Sequence, residues 1–571
     1  MQIKSILLTG VLGLVCLCGH AQEQRDLKKE VKVRTNYKPE IKKAKRIGEM
    51  PTIVDTVTFK KRFDYSIRSK ALDVSFKPGS IKAAKMTGES LKKTNGHSFD
   101  LAAGNYASLF ADYRYNNLQS KTTDFGIHLQ HYSSDGKLEL QDGDKVKPDW
   151  KEFLAELYGN HYLDDAKITS RFYYKHKSFN YYGFPQAEDV QSGMVNIFDY
   201  DSQRFNDFGL QTSYETLAKD AEDLNFKLGV EFDYFSDKIN LSELDLGVSG
   251  SAEMKVGEGL WSLASSLNYL QTNNLTYWDT ELKNQDDKSS LLMVNPSYSL
   301  SLGGFNFRIG VKAQAVLGDD SDFRLYPDVK IDLALFDHVL NLFAGLDGNL
   351  DVNTARSITD VNPFVHSGLN VKSTSTNYRI YGGVKNKISD KSSSLISVEY
   401  ADIEGQYFFS MANSAFSPQG GLPQEAYYFN KYAVVYDDLY KISLTGELDY
   451  QVNKELNLYA LAKYTYYSMD KLEEAWQLPK FEMETRASYR FTDQWLFKAR
   501  LIFVGERPVM TNGLEAQLDT LADLGLGTEY KWNDLLSLYA NVNNIFDADA
   551  YLWQGYPSQG INGMIGLKLV F

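Results

Sequence analysis

The segment Tyr440–Val452, YKISLTGELDYQV, alternates between two kinds of residue with a period of two. Every second residue from Tyr440 is apolar or glycine, and the residues between them are Lys, Ser, Thr, Glu, Asp and Gln. Successive side chains of a β-strand point to opposite faces of its sheet, so this pattern predicts a strand with one apolar and one polar face. Two further segments, Leu224–Phe235 and Phe481–Phe491, repeat the pattern.

The alternating segments are longer than the strands of most soluble sheets. They run for about 10–14 residues, whereas soluble strands centre on about 5–6 and a tilted strand needs about 9–11 to cross a membrane. Short connections such as Asn453–Glu455 and Thr492–Asp493 alternate along the chain with long ones. We expect the long connections at Ser134–Pro148, Phe179–Arg204, Gln271–Asp287, Asp351–Ser375, Asp402–Asp438 and Asp547–Gln559.

Tight turns at one end and long loops at the other are typical of an outer-membrane barrel, with the loops outward and the turns in the periplasm. We therefore predict an all-β protein whose residues 96–571 form a transmembrane antiparallel up-and-down β-barrel. About 22 strands are expected, in a range of 18–22, with a first hairpin around Gly104–Tyr106. We further expect the loops Phe179–Arg204 and Asp402–Asp438 to occlude part of the lumen, because an open barrel of this size leaks.

Lipid offers no hydrogen-bond partner, so the last strand must pair with the first. The lipid face of the last strand is predicted to carry Ile561, Gly563, Ile565, Leu567, Leu569 and Phe571.

The composition excludes a helical membrane protein. The mean hydropathy is −0.37, and the first twenty or so residues form the only long apolar run. Only alternate residues of a barrel strand meet lipid, so a membrane-spanning barrel is compatible with a low mean hydropathy and with the lack of long apolar runs. The 38 Tyr, 32 Phe and 7 Trp residues agree with aromatic girdles.

Residues 1–21 match a cleavable export signal. Lys4 provides the basic start, Ile6 to Leu17 provide the apolar core, and Gly19 and Ala21 precede a cleavage site at Gln22. The two cysteines, Cys16 and Cys18, lie inside this segment, so the exported chain has no thiol and no Cys-based metal site.

Residues 22–95 are strongly basic and show no sustained period. They contain 20 Lys and Arg against 9 Asp and Glu, a net charge of +11, whereas residues 96–571 carry −25. We interpret them as a short extended periplasmic segment, which is either an arm that binds an acidic partner or a solvated linker. The candidate partner-binding residues are Lys42, Lys43, Lys45, Arg46, Lys60, Lys61 and Arg62.

We find no catalytic, cofactor-binding or metal-binding constellation in the sequence. It contains no phosphate-binding Walker loop, no His-Glu-x-x-His and no Gly-x-Ser-x-Gly. His128 and His131 are three residues apart on one predicted strand, so they point to opposite faces and cannot share a metal. We therefore expect neither an enzyme nor a cofactor, and a nucleic-acid partner is not expected for an exported chain.

The C-terminal stretch 538–571, LYANVNNIFDADAYLWQGYPSQGINGMIGLKLVF, resembles the closing strands of TonB-dependent receptors of the Bacteroidetes type. The matching residues are Asn541, Asn543, Asn544, Ile545, Phe546, Tyr556, Pro557, Gly560, Gly566 and Phe571. The chain has Ser558 and Gln559 after the Tyr-Pro pair, where the family often has Pro-Gly-Arg. The resemblance implies that the outer-membrane assembly machinery reads the C-terminal strand, with Ile565, Leu567, Leu569 and Phe571 as its signal.

The resemblance also implies a 22-stranded receptor barrel in the cell outer membrane. Such receptors carry a plug domain of well over a hundred residues, and residues 22–95 lack a plug-like pattern, so the plug is expected to be missing. The leading hypothesis is a receptor or channel for solute uptake that contacts outer-membrane lipid and works with TonB or with a separate plug or lipoprotein partner. The alternative is a non-transporting barrel that scaffolds a periplasmic or surface protein.

Overall fold

A computed structural model describes residues 96–117, 122–140, 143, 145–183, 202–217, 223–239, 241–278, 281–318, 321–336, 339–389, 391–411, 430–511, 514–547 and 551–571. All of them belong to one compact unit, Asp64–Phe571. The predicted signal peptide and basic segment lie outside the described residues, so both stay predictions.

The described chain forms 28 strands and one short helix. The elements are β1 (His97–Gly104), β2 (Ser108–Asn117), β3 (Thr123–Ser134), β4 (Leu138–Glu139), β5 (Lys145–Val146), β6 (Trp150–Tyr162), β7 (Ala166–Asn180), β8 (Ser202–Thr216), β9 (Asn225–Ser236), β10 (Ser242–Val256), β11 (Gly259–Trp278), β12 (Glu281–Leu302), β13 (Phe305–Gly318), β14 (Asp322–Leu335), β15 (Leu340–Asp351), α1 (Ala355–Val361), β16 (Thr374–Ser389), β17 (Ser392–Met411), β18 (Tyr432–Gln451), β19 (Leu456–Met469), β20 (Phe481–Arg490), β21 (Trp495–Val504), β22 (Arg507–Thr511), β23 (Leu514–Leu518), β24 (Leu521–Lys531), β25 (Leu536–Asn543), β26 (Tyr551–Trp553), β27 (Tyr556–Pro557) and β28 (Asn562–Val570).

Twenty-two of these strands form one antiparallel sheet that closes on itself, as predicted. Sequential strands pair around the ring, and β28 pairs with β1 from Ser98 opposite Val570 to Gly104 opposite Met564. The pairs β4–β5, β22–β23 and β26–β27 form small separate hairpins. The pairing of β28 with β1 gives the backbone N–H and C=O groups of these two strands hydrogen-bond partners, which lipid cannot provide.

The longest connections lie at one end of the barrel, as the sequence predicts, although that end also carries short connections such as 105–107 and 319–321. One rim carries tight turns such as 257–258 and 303–304, and we call it the turn rim. The opposite rim carries longer segments such as 352–373 and 470–480, and we call it the loop rim. Both the start of β1 and the end of β28 lie at the turn rim, as an even strand number requires.

Two predicted long loops are wrong in extent. The predicted loop Gln271–Asp287 consists mostly of the ends of β11 and β12, which pair as far as Trp278 and Glu281. The predicted loop Asp402–Asp438 likewise contains the ends of β17 and β18. Beyond the apolar belt these strand ends pack against other loops, as Phe409 and Met411 of β17 do, so their side chains no longer alternate between apolar and polar while the backbone pairing continues.

The outer wall is apolar and exposed. On β9, Leu228 and Val230 are 54% and 60% exposed while Asp233, which faces inward, is 2% exposed. In β28, Ile565 is 75% exposed and Met564 is 4% exposed, which confirms the two faces predicted for that strand. A water-exposed apolar belt of this size would be strongly unfavourable, so the belt faces lipid. Among the described residues, α1 is too short to span a membrane, and no helix there is long and apolar enough to do so.

Candidate functional site: a loop docked on the inner wall of the barrel

The segment 352–373, between β15 and β16, folds into the barrel instead of away from it. Thr354 caps the N-terminus of helix α1, and its hydroxyl accepts a hydrogen bond from the backbone N–H of Ser357 at 3.0 Å. The Ser357 hydroxyl accepts in return from the backbone N–H of Thr354, which completes a capping box. Ala355 and Ile358 of α1 are fully buried. We call this segment the lumen loop.

Glu243 of β10 anchors the N-terminus of α1 to the barrel wall. Its carboxylate accepts from the backbone N–H of Ala355 at 2.7 Å and from that of Arg356 at 3.5 Å. The hydroxyl of Thr272, on β11, donates to the same carboxylate at 3.4 Å. A carboxylate is stabilised at a helix N-terminus because the free N–H groups there carry partial positive charge.

Arg356 forms a second anchor on the inner wall. Its Nη1 lies 2.9 Å from Oδ1 of Asp233 and 3.6 Å from Oδ1 of Asp207, and it donates to the Tyr173 hydroxyl at 2.9 Å. Tyr173 in turn donates to Asp233. The three wall residues come from β7, β8 and β9, so one guanidinium ties the lumen loop to three neighbouring strands.

The wall beneath Arg356 concentrates negative charge. Asp233 stands directly opposite Asp245 in the register of β9 and β10, and Glu231 is two residues away on the same face. Like charges in such a cross-strand pair repel each other, so the wall needs a cation. Burial alone would lower the pKa of the Arg356 guanidinium, but Tyr173, Asp233 and Asp207 raise it above its ordinary value. The guanidinium therefore stays charged.

Side chains from the lumen loop, from other connections and from the ends of several strands pack into one buried apolar group across the loop rim. We call it the loop cluster. It contains Leu138, Val146, Phe179, Tyr181, Tyr182, Phe205, Phe235, Leu241, Ala355, Ile358, Phe364, Val365, Leu369, Phe409, Met411, Tyr432, Trp553 and Tyr556. The rings of Phe364 and Tyr556 stack with their centroids 3.6 Å apart.

Hydrogen bonds join the same connections. Tyr181 donates to the carbonyl of Val365 at 2.9 Å, Tyr182 to that of Pro557 at 3.1 Å, and Tyr432 to that of Gln554 at 2.7 Å. Burial raises the pKa of the Tyr182 hydroxyl, which therefore remains a neutral donor. The loop cluster thus links sequence-distant connections into one assembly over the lumen.

Below these loops, the inner wall carries ion pairs around its circumference. Asp112 accepts from Nε2 of His128 at 2.8 Å, and Arg114 lies 2.9 Å from the same carboxylate. On the other side of the barrel, Arg379 lies 2.7 Å from Asp347. Such a charged and hydrogen-bonding wall suits water and polar solutes.

The structure tests the prediction made for the two histidines. His128 faces the lumen, whereas His131 pairs in register with the exposed Phe153, so the two histidines lie on opposite faces as predicted. Within the described residues, no group of three or more His, Cys, Asp or Glu side chains is arranged to hold a metal ion. The basic residues Lys42 to Arg62 lie outside the described part of the chain.

Of the loops Phe179–Arg204 and Asp402–Asp438, which we expect to occlude part of the lumen, the structure describes only the ends. Phe179 and Phe409 pack into the loop cluster, while residues 184–201 and 412–429 lie outside the described ranges.

Sequence reasoning missed the docking of the lumen loop on the inner wall. The pattern Thr354-x-x-Ser357 was a weak sign of a helix start, and Arg356 within a long predicted loop gave no sign of a buried partner. Its carboxylate partners lie more than a hundred residues earlier in the chain, and no local pattern relates residues so far apart.

The fold, but not the sequence, matches known proteins. No protein-family model matches the sequence, and a search of curated proteins finds no relative. The ferric-catecholate import receptor Fiu from E. coli K12 superposes with a TM-score of 0.60 at 11% identity, over 84% of this chain and 82% of that one. The siderophore receptor PirA from Acinetobacter baumannii gives 0.62 at 10% identity, over 85% and 81%.

The copper transporter OprC gives a TM-score of 0.61 at 13% identity, over 83% of this chain and 80% of that one. These likenesses show a common fold. Together with the exposed apolar belt, they place this chain in the cell outer membrane as a closed 22-stranded antiparallel barrel.

Proposed function

We propose that this protein is an outer-membrane receptor or channel for solute uptake, whose lumen is closed by its own loop 352–373. The observation that carries the proposal is the pairing of a charged, solute-compatible wall with a barrel loop docked into the lumen by Glu243 and Arg356. A barrel that served only as a membrane anchor would need neither a polar lumen nor a dedicated closing segment.

The structural neighbours support this proposal at the level of fold. Their printed names describe an import receptor, a siderophore receptor and a copper transporter, and their cargoes differ, so the likeness does not identify a solute here. The C-terminal resemblance supports TonB, or a separate plug or lipoprotein partner, as the component that displaces the loop and commits a bound solute to passage.

Proteoliposome swelling tests the proposal. The wild-type protein should admit neutral sugars slowly, whereas a variant in which residues 353–372 are replaced by a short Gly-Ser linker should admit small sugars quickly and larger ones progressively less. A size-dependent rate is expected because the lumen acts as a pore. If the variant assembles normally but stays impermeable, the lumen is not a conduit, and the scaffold function is favoured.

A further inference from the structure

The inner wall that receives Arg356 carries more carboxylates than this one guanidinium balances. They come from β8, β9 and β10 and are Asp207, Glu231, Asp233 and Asp245, which we call the carboxylate wall. Asp233 stands opposite Asp245 in the register, and the Glu231 carboxyl lies next to that of Asp233. Like charges this close repel one another, so the group favours cations in its vicinity.

The cations beside this wall are fewer than its carboxylates. Within the described residues, Arg356 is one, and Lys175 of β7, which lies 3.5 Å from Asp207, is a second. The inward-facing cations on either side of Lys175 are already paired with carboxylates of β6, Arg171 with Glu156 and Lys177 with Glu152. Two cations thus face the four carboxylates.

The long loop-rim segments outside the described ranges do not correct this imbalance. Residues 184–201 and 412–429 together contain five Asp and Glu residues and no Lys or Arg. Asp360 of the lumen loop adds a further negative charge near the wall. A proton shared between Glu231 and Asp233 would remove only one charge of the group. The wall therefore has the charge to accept another cation.

Two buried oxygens of the carboxylate wall still lack a donor. Asp233 is 2% exposed, and its Oδ1 accepts from Tyr173, whereas its Oδ2 has no hydrogen-bond partner among the described residues. Oδ1 of Asp245, the register partner, likewise has none in the described part of the chain. A buried carboxylate oxygen without a donor is unfavourable, and a ligand that carries several N–H groups would relieve this cost.

The position of Arg356 shows which chemistry the wall recognises. Its Nη1 lies 2.9 Å from Asp233 and donates to the Tyr173 hydroxyl at 2.9 Å. Gly209 of β8 lies in register between these two wall residues, and a Cβ there would collide with both the Tyr173 ring and Oδ1 of Asp233. The glycine thus lets the tyrosine cross β8, so that a hydroxyl and a carboxylate meet one guanidinium.

We propose that the carboxylate wall is the binding site for a cationic solute that carries guanidinium groups, an arginine-containing peptide, and that Arg356 occupies this site as an internal competitor while the lumen loop is docked. The inference rests on the proposed uptake function and adds the class of solute. A guanidinium of the peptide takes the place of Arg356 at Asp233, so binding of the solute and docking of the loop exclude each other. The solute thereby favours the open state of its own path.

The test measures binding of acetyl-Arg-Arg-amide to the purified full chain in a nonionic detergent by isothermal titration calorimetry. Acetyl-citrulline-citrulline-amide, which has nearly the same shape without the charges, is the reference peptide. The proteins are wild type, Arg356→Ala, and a test variant that combines Arg356→Ala with Asp233→Asn and Asp245→Asn. The matched control combines Arg356→Ala with Asp332→Asn and Glu447→Gln, which removes the same charge from inward-facing positions of β14 and β18.

We expect Arg356→Ala to bind the arginine peptide at least about tenfold more tightly than wild type, because the competing guanidinium is gone. The test variant should lose at least about tenfold of that affinity, whereas the control should retain most of it. The citrulline peptide should bind weakly to every protein. Heat-modifiable gel mobility verifies that each variant is a folded barrel, and Arg356→Ala with Asp245→Asn serves if the test variant does not fold.

Equal binding of the two peptides to Arg356→Ala would overturn the proposal, as would equal losses in the test variant and the control. Calorimetry needs no transport, so this result is independent of the swelling assay. A chain that binds the arginine peptide but stays impermeable contradicts the uptake function alone. A barrel that admits sugars but does not prefer the arginine peptide contradicts the assignment of the solute alone.

Discussion

At the residue scale, Arg356 holds the lumen loop to a wall of carboxylates. Removing one partner of a buried charge pair leaves the other charge without compensation, which is strongly destabilising. The Arg356 side chain is 25% exposed, so solvent reduces this effect. The same wall contains Asp233 opposite Asp245, which makes the docked position dependent on a cation.

We therefore predict that Arg356→Ala undocks the lumen loop. A destabilisation of about 1–3 kcal/mol would raise the open population between about fivefold and about a hundredfold, because each 1.4 kcal/mol is a factor of ten. Single-channel recording in planar bilayers should show more frequent and larger openings than wild type. Arg356→Lys keeps a cation and should remain mostly closed.

Arg379→Ala is the matched control for this prediction. It removes a guanidinium that is paired with Asp347 on the barrel wall, without any contact to the lumen loop in the pairs described. Its conductance should resemble wild type. If Arg356→Ala and wild type gave the same closed trace, the anchoring role of Arg356 would be wrong.

His366 makes the docked loop sensitive to pH. It lies in the lumen loop, and burial, followed by repulsion from Lys431, lowers the pKa of His366 to about 4. Its folded pKa lies below the ordinary value of about 6.5, so the docked loop favours neutral imidazole. This contribution is complete above about pH 6.5 and is lost progressively as the pH falls toward 4, by on the order of 3 kcal/mol in total.

We predict that wild-type openings become more frequent as the pH is lowered from 7 to 4.5. The comparison with His366→Gln isolates the contribution of the histidine. The variant should show a shallower pH dependence of open probability. Identical pH profiles for the two proteins would contradict the role of His366.

At the element scale, the barrel strands follow from the sequence because lipid imposes a local rule. Each strand needs an apolar outer face and a polar inner face. Apolar and polar residues therefore alternate along segments such as Tyr440–Val452. The hairpin between β1 and β2 lacks such a local rule. Its turn residues Tyr106 and Ala107 adopt positive φ angles of 55° and 48° without glycine, so the usual hairpin signal is absent.

The C-terminal strand offers a test that separates recognition from stability. The ring of Phe571 stacks on His97 across the β1–β28 seam, with centroids 5.1 Å apart. Such a contact contributes only about 0.5–1.5 kcal/mol, too little to decide whether a 22-stranded barrel forms. Phe571→Ala should nevertheless lower the amount of assembled barrel in cells severalfold, because the assembly machinery is predicted to read this residue.

His97→Ala removes the same ring contact but keeps the C-terminal signal. We expect it to assemble like wild type, as measured by heat-modifiable protein in outer-membrane fractions. Equal losses for the two variants would indicate that the seam contact, not recognition of Phe571, limits assembly.

At the scale of the whole molecule, the pairing of the last strand with the first follows from the chemistry of lipid. The docking of the lumen loop inside the barrel does not follow from any local sequence pattern. The absence of hydrogen-bond partners in lipid requires β28 to meet β1, and the sequence alone supports that conclusion. The lumen loop instead depends on contacts between Arg356, Asp207 and Asp233, which lie far apart in sequence. Packing of the loop cluster likewise joins Tyr182 to Tyr556, and single-sequence reasoning has no access to such pairs.

The most direct test of the closed barrel is a disulfide across its seam. Leu101 and Leu567 are register partners on β1 and β28, and neighbouring Cα atoms in antiparallel pairs lie about 4.5–5.5 Å apart, within reach of a disulfide. Residues 22–571 contain no cysteine, so introduced thiols have no competitors. Leu538 also pairs with Leu567 but lies two strands from Leu101, about 10 Å away, which makes Leu101→Cys with Leu538→Cys the control.

For protein in bilayers, we predict that Leu101→Cys with Leu567→Cys oxidises to an intramolecular disulfide, seen as a mobility shift of the boiled, unreduced protein, whereas the control pair does not. An absent cross-link in the first pair, or equal cross-linking in both pairs, would contradict the closed barrel.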